Sequence, residues 1–124
     1  MSKNILIIDD DGMITKTIGN LLKREGYFSE VVENGLQAIE RIRSKGFDLI
    51  ITDIRMPQMD GIETISRIRK FIKEQGKITI PVIFITGFAD PDAYVKAEKF
   101  GKVIYKPFDM RIFLDEVDKA LDKK

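Results

Sequence analysis

Short apolar runs that do not alternate with polar residues recur along this chain, each followed by a segment of helical period. The clearest is Leu49-Ile50-Ile51-Thr52, closed by the lone carboxylate of Asp53. A strand with one wet face alternates, so an unbroken run predicts a strand buried on both faces. Similar runs are Ile5–Ile8, Val82–Ile85 and Val103–Tyr105, with a weaker one at Glu30–Val32. Between them Ile14, Ile18, Leu21 and Leu22 share one helical face, as do Ile62, Ile65, Ile68 and Ile72. Weaker helical segments run from Leu36 through Ile42 and from Asp92 to Phe100, and the last stripe carries Phe113, Leu114, Val117 and Leu121. Strand-then-helix repeats of this kind predict an α/β fold, a parallel sheet covered by helices on both faces. Right-handed crossovers restrict the strand order without deciding it.

The punctuation agrees with those segments. Gly26, Gly46 and Gly101 fall where helices stop, Asp90-Pro91 reads as an N-cap with proline at the first helical position, and Asp109 caps the last helix. Asp60 before Gly61 reads as a cap or turn, and Lys123-Lys124 as a frayed helix end. With 124 residues and no linker or low-complexity stretch, the expectation is a single domain over 1–124.

Composition narrows the chemistry. The chain has no cysteine and no histidine, which removes disulfides, thiolate nucleophiles, the usual zinc ligands and the usual general base. A net charge of +1 offers no electrostatic reason for nucleic-acid binding. No apolar stretch approaches a signal peptide or membrane span, so no membrane is expected, and the absence of cysteine is compatible with a cytoplasmic chain.

The polar residues that end the predicted strands carry the functional signal. Strand one ends in Asp9-Asp10-Asp11, strand three in Asp53, strand four in Thr86-Gly87 and strand five in Lys106-Pro107. Parallel strands bring these ends to one rim, the edge where open α/β sheets bind ligands. Crowded carboxylates resist ionising together unless a cation intervenes, and hard oxygens with open positions suit Mg²⁺. Carboxylate, metal, hydroxyl and ammonium make a phosphoryl-transfer set, the carboxylate attacking while metal and lysine hold the charge of the phosphoryl oxygens.

The segments Ile7-Ile8-Asp9-Asp10-Asp11, Asp53 through Gly61, Ile85-Thr86-Gly87 and Tyr105-Lys106-Pro107-Phe108 resemble the receiver domains of two-component response regulators, CheY-like proteins. The likeness covers essentially the whole chain. It implies a doubly wound five-stranded parallel sheet of order 2-1-3-4-5 with five helices. It implies Asp53 as phosphoacceptor, served by a sensor histidine kinase or histidine phosphotransfer protein. Asp10, Asp53 and the Arg55 backbone carbonyl would bind Mg²⁺, with Asp9 acting nearby, mostly through water. Thr86 would move to bond the phosphoryl oxygens, Lys106 would pair with them, and Gly87 would admit the donor. A downstream effector would read helix four, strand five and helix five, helped by Ile112, which falls off its helix's buried stripe. Such a chain is a switch and not an enzyme, beyond its own phosphorylation and dephosphorylation. Receivers also flank the path of the hydrolytic water with the residues two after the acceptor and two after the threonine, here Arg55 and Phe88.

Two positions depart from the family pattern. Val103 stands where a switch aromatic is usual, three residues before the lysine, and Tyr105 shares its side of the strand. Gly101 lies only five residues before Lys106. Two rival readings stay open at this point. One is a small phosphatase of the haloacid dehalogenase type, with Asp9 as nucleophile and Asp11 as acid/base. The other is an interaction module that keeps the fold without needing phosphate.

Overall fold

The computed structural model describes residues 3–87 and 90–121. Five parallel strands form one sheet in the order β2-β1-β3-β4-β5. They are β1 (Asn4–Ile8), β2 (Phe28–Val32), β3 (Leu49–Thr52), β4 (Val82–Thr86) and β5 (Lys102–Tyr105). The helices between and after them are α1 (Gly12–Arg24), α2 (Gly35–Ser44), α3 (Gly61–Glu74), α4 (Pro91–Glu98) and α5 (Met110–Ala120).

The unbroken apolar runs are explained by the two cores they serve. Leu6, Ile8, Ile50, Val82 and Phe84 point to one face, where they meet Ile65, Ile68 and Ile72 of α3 together with α2 and α4 residues. Ile5, Ile7, Leu49, Ile51, Ile83 and Ile85 point to the other, against Ile18 and Leu22 of α1 and Phe113 and Val117 of α5. Each such side chain contributes about 1.5–3 kcal/mol by leaving water. Strands β1, β3 and β4 are therefore anchored from both sides, and their carboxyl ends form a stiff rim.

Helix starts follow side-chain chemistry. Asp11, Asn34, Asp60, Asp90 and Asp109 each accept hydrogen bonds from N–H groups of the first turn of α1 to α5 respectively. Each such cap is worth about 1 kcal/mol.

Several boundaries differ from those read in the sequence, β1 and β5 each beginning one residue early, at Asn4 and Lys102. Strand β2 begins at Phe28, earlier than the Glu30 expected, because it pairs from Asn4↔Phe28 onward although it is a sheet edge whose Phe28 and Val31 stay exposed. Strand β4 runs one residue further, to Thr86. Helix α4 stops at Glu98, before Phe100, because the Phe100 and Gly101 N–H groups both turn back to the Ala97 carbonyl. A Cβ at Gly101 would lie 2.0 Å from the Val82 carbonyl oxygen, so only glycine lets the chain enter β5 this tightly. Phe88 and the Lys123-Lys124 tail lie outside the described residues.

Candidate functional site

Asp53 is the first residue beyond β3, and its N–H still donates to the Ile8 carbonyl at 3.1 Å. Its backbone is held from below by the ladder and from above by α3. The Thr52 hydroxyl donates to the Asp53 carbonyl at 2.9 Å, and the Gly61 N–H donates to the Ile54 carbonyl at 2.7 Å. A Cβ on Gly61 would sit 2.0 Å from the Asp53 carbonyl oxygen, so the glycine is what lets α3 begin directly over the acceptor loop. Within that loop Gln58 takes a positive φ of 72°, and the Met59 N–H closes on the Pro57 carbonyl at 2.8 Å. The Asp53 carboxylate accepts from the Arg55 N–H at 3.3 Å.

The three aspartates after β1 divide into three roles. Asp9 is 4% exposed, and its Oδ1 accepts from the Asp11 N–H at 2.9 Å. Asp10 is exposed at the mouth of the site. Asp11 caps α1, accepting from Met13 and Ile14. Asp11, the acid/base of the phosphatase reading, is thus engaged at the helix start through Oδ1.

Lys106 gathers the carboxylates. It follows β5 directly, its N–H donates to the Thr86 carbonyl at 2.8 Å, and the Lys106-Pro107 bond is cis. Its Nζ lies 3.2 Å from Asp53 Oδ2 and 3.5 Å from Asp9 Oδ2. Burial works against the ammonium, but the charges of Asp53 and Asp9 and the bonds to them outweigh it and raise the Lys106 pKa. Burial also dominates at Asp9: it raises that carboxyl's pKa, Asp53 adds to the rise, and the Asp11 N–H and Lys106 only partly offset it. The crowding read from the run of aspartates thus falls on buried Asp9. Thr86, 1% exposed, ends β4 beside this group.

The structure brings Asp9, Asp53 and Lys106 into contact, holds Thr86 against the Lys106 backbone, and leaves Asp10 and Arg55 at the exposed mouth. The sharing of one lysine by Asp9 and Asp53 was not foreseen from the sequence, since nothing in a linear spacing orients a lysine tip. The donor chemistry, carboxylate and carbonyl oxygens, is of the kind Mg²⁺ takes, although among the described residues no three acidic side chains converge as a metal site. Such an ion retains waters and takes few protein ligands.

On the neighbouring face Tyr105 and Tyr94 stack with ring centroids 5.9 Å apart and planes 11° from parallel. Val103 is buried, so the aromatic at the end of β5 is Tyr105, in contact with α4.

Comparison with known proteins accords with this geometry. The family model described as the response regulator receiver domain matches residues 5–118. The response regulator receiver protein CpdR of Brucella abortus is 36% identical over 123 residues, spanning 96% of this chain and 97% of its own. The transcriptional regulatory protein ZraR of Klebsiella oxytoca is 42% identical over 108 residues, which are 86% of this chain. The chain spans only about a quarter of the length of ZraR, at 23%. A CheY-like receiver domain structure from Methanospirillum hungatei superposes with a TM-score of 0.88 at 29% identity, covering 99% of this chain and 96% of that one. The response regulator TrrA of Thermotoga maritima, solved in complex with Mg²⁺-BeF, gives a TM-score of 0.83 at 29% identity, covering 96% and 99%.

Proposed function

The chain belongs to the response regulator receiver domain family, and from that premise we propose that it is a phosphorylation-operated switch whose acceptor is Asp53. Receiver domains are signalling switches and generally not enzymes, and they bind Mg²⁺. The observation that carries the assignment is the Lys106 ammonium 3.2 Å from Asp53 and 3.5 Å from Asp9, a cation set where phosphoryl charge would arrive.

In the proposed reaction an Asp53 carboxylate oxygen attacks the phosphorus of a phosphohistidine on a kinase or phosphotransfer protein. The new O–P bond forms as the P–N bond breaks, and the imidazole leaves with the electron pair and takes a proton. The Arg55 N–H steadies the carboxylate, and Lys106 turns from it to the phosphoryl oxygens. Asp10, Asp9, Asp53 and the Arg55 carbonyl are the oxygens that would hold Mg²⁺, which supplies positive charge against the phosphoryl group. Thr86 donates its hydroxyl to a phosphoryl oxygen, and its movement is passed to the α4–β5–α5 face. That face exposes Val95, Tyr105 and Ile112, an apolar surface suited to a downstream protein. The reading takes 1–124 as one receiver unit acting in the cytoplasm, where kinases have ATP, with no nucleic acid or membrane among its own ligands. Among the described residues no helix is long and apolar enough to cross a membrane.

Incubation with Mg²⁺ and a small acyl phosphate should add one phosphoryl group by intact mass, and Asp53→Asn should accept none. Unchanged labelling of that variant would remove Asp53 from the role.

A further inference from the structure

At the end of the sheet opposite Asp53, α2 and α3 finish side by side and leave a groove of about 280 Å³ between them. We propose that this groove docks an extended acidic segment of a partner protein, anchored by one apolar side chain. Its lining contains no acidic residue. Arg43 lies 5.4 Å over the Phe71 ring and Lys45 lies 5.5 Å over the Phe47 ring, so both cations are held along the apolar walls. Lys45 shares the single carboxylate of Glu30, at 2.7 Å, with Arg41, and among the described residues neither Arg43 nor Lys77 pairs with a carboxylate.

The C-termini of α2 and α3 bring about half a negative charge each, spread over several carbonyls. That accounts for cations being placed here, and it leaves two full charges on Arg43 and Lys77 in excess of about one. It does not account for Ile78, a β-branched side chain 92% exposed at the groove's edge. Nor does it account for the peptide groups of Ile78, Thr79 and Ile80, which make no hydrogen bond among the described residues. Free peptide groups beside an apolar slot are what an extended chain uses for affinity, and flanking cations select an acidic one. A small inorganic anion would use the charges and waste the rest. Because the groove sits at the amino ends of β3 and β4, its occupant leaves the acceptor rim open, and docking is independent of phosphorylation.

The test is a titration of the ¹⁵N-labelled full chain with the acetylated peptide Glu-Glu-Leu-Phe-Glu-Glu at low ionic strength, following amide resonances. Shifts are expected in 42–47 and 71–80, with binding weakened by added salt. The exposed pair Arg43→Glu/Lys77→Glu should bind at least about tenfold more weakly. Ile78→Ser should also weaken binding, and both variants should accept phosphate at Asp53 like the parent. Equal binding of Lys-Lys-Leu-Phe-Lys-Lys, shifts centred on the acceptor rim, variants that bind like the parent, or no binding at about 1 mM peptide would each overturn the proposal. Sedimentation showing self-association abolished by the same charge reversals would assign the groove to a second copy of the chain and would overturn it too.

Discussion

Asp9 shows how one residue's surroundings set its contribution. Its carboxyl pKa is raised, by burial first, so the folded state holds the proton more tightly than the unfolded one. Stability from this group is complete below the unfolded value of about 3.9 and is lost as pH rises through the folded value. Asp9→Asn keeps an acceptor for the Asp11 N–H and removes the costly charge. The variant should unfold at higher urea than the parent at pH 7, the difference vanishing below about pH 3.9. A variant less stable than the parent at pH 7 would show that Lys106 fully compensates the charge. Arg55 makes a second prediction at this scale, since a long cation at the mouth can engage phosphoryl oxygens while offering no carboxylate or amide to accept a proton from an attacking water and orient it. Decay of phospho-Asp53 should be slow, and Arg55→Asn/Phe88→Glu should hasten it several-fold. Equal decay rates would take these side chains out of control of the lifetime.

Among the elements, α3 depends on a single atom's absence as closely as the entry to β5 does at Gly101. Gly61 carries no Cβ where the Asp53 carbonyl oxygen lies 2.0 Å from the ideal position, and the obstacle is backbone that is tied to β3. Gly61→Ala should cost about 1–3 kcal/mol of stability, measured by urea unfolding, and should slow acyl-phosphate labelling by displacing the acceptor loop. Labelling at the parental rate would mean that the loop yields without moving the carboxylate. Asp60 offers the contrast: among the described residues its side chain accepts only from Glu63 N–H, so its replacement should loosen the helix start and leave the chemistry alone.

For the whole molecule, the question is how the rim speaks to the α4–β5–α5 face. Thr86 ends β4, its carbonyl receives the Lys106 N–H, and Tyr105 next to Lys106 stacks on Tyr94 of α4. A pull on Thr86 therefore has a short covalent and packed route to α4. Phosphorylation should shift amide resonances across Tyr94–Ile112 in the parent, and Thr86→Ala should still be phosphorylated but lose most of those shifts. Shifts retained in that variant would sink the relay. The same experiment on Tyr105→Ala separates the stacked pair from buried Val103 as the moving part.

Much of this was written in the chain itself. Non-alternating runs demand burial on both faces, helical stripes demand a covering layer, and that pairing alone leads to a parallel sheet with chemistry at its carboxyl edge. Asp53, Asp9, Thr86 and Lys106 could be named because each ends a different run, and caps such as Asp90 and Asp109 because their chemistry is local. What needed three dimensions is whatever depends on distances between strands. The order β2-β1-β3-β4-β5 came from resemblance, since periodicity carries no neighbour information. The early start of β2 was illegible because an edge strand owes its existence to pairing and leaves Phe28 and Val31 exposed. The division of labour among three adjacent aspartates was decided by burial, which the packed rim imposes and adjacency in sequence does not. The cations beside Ile78 came together only when α2 and α3 ended at the same edge of the sheet, a meeting set by helix length and crossover path and invisible in either segment alone.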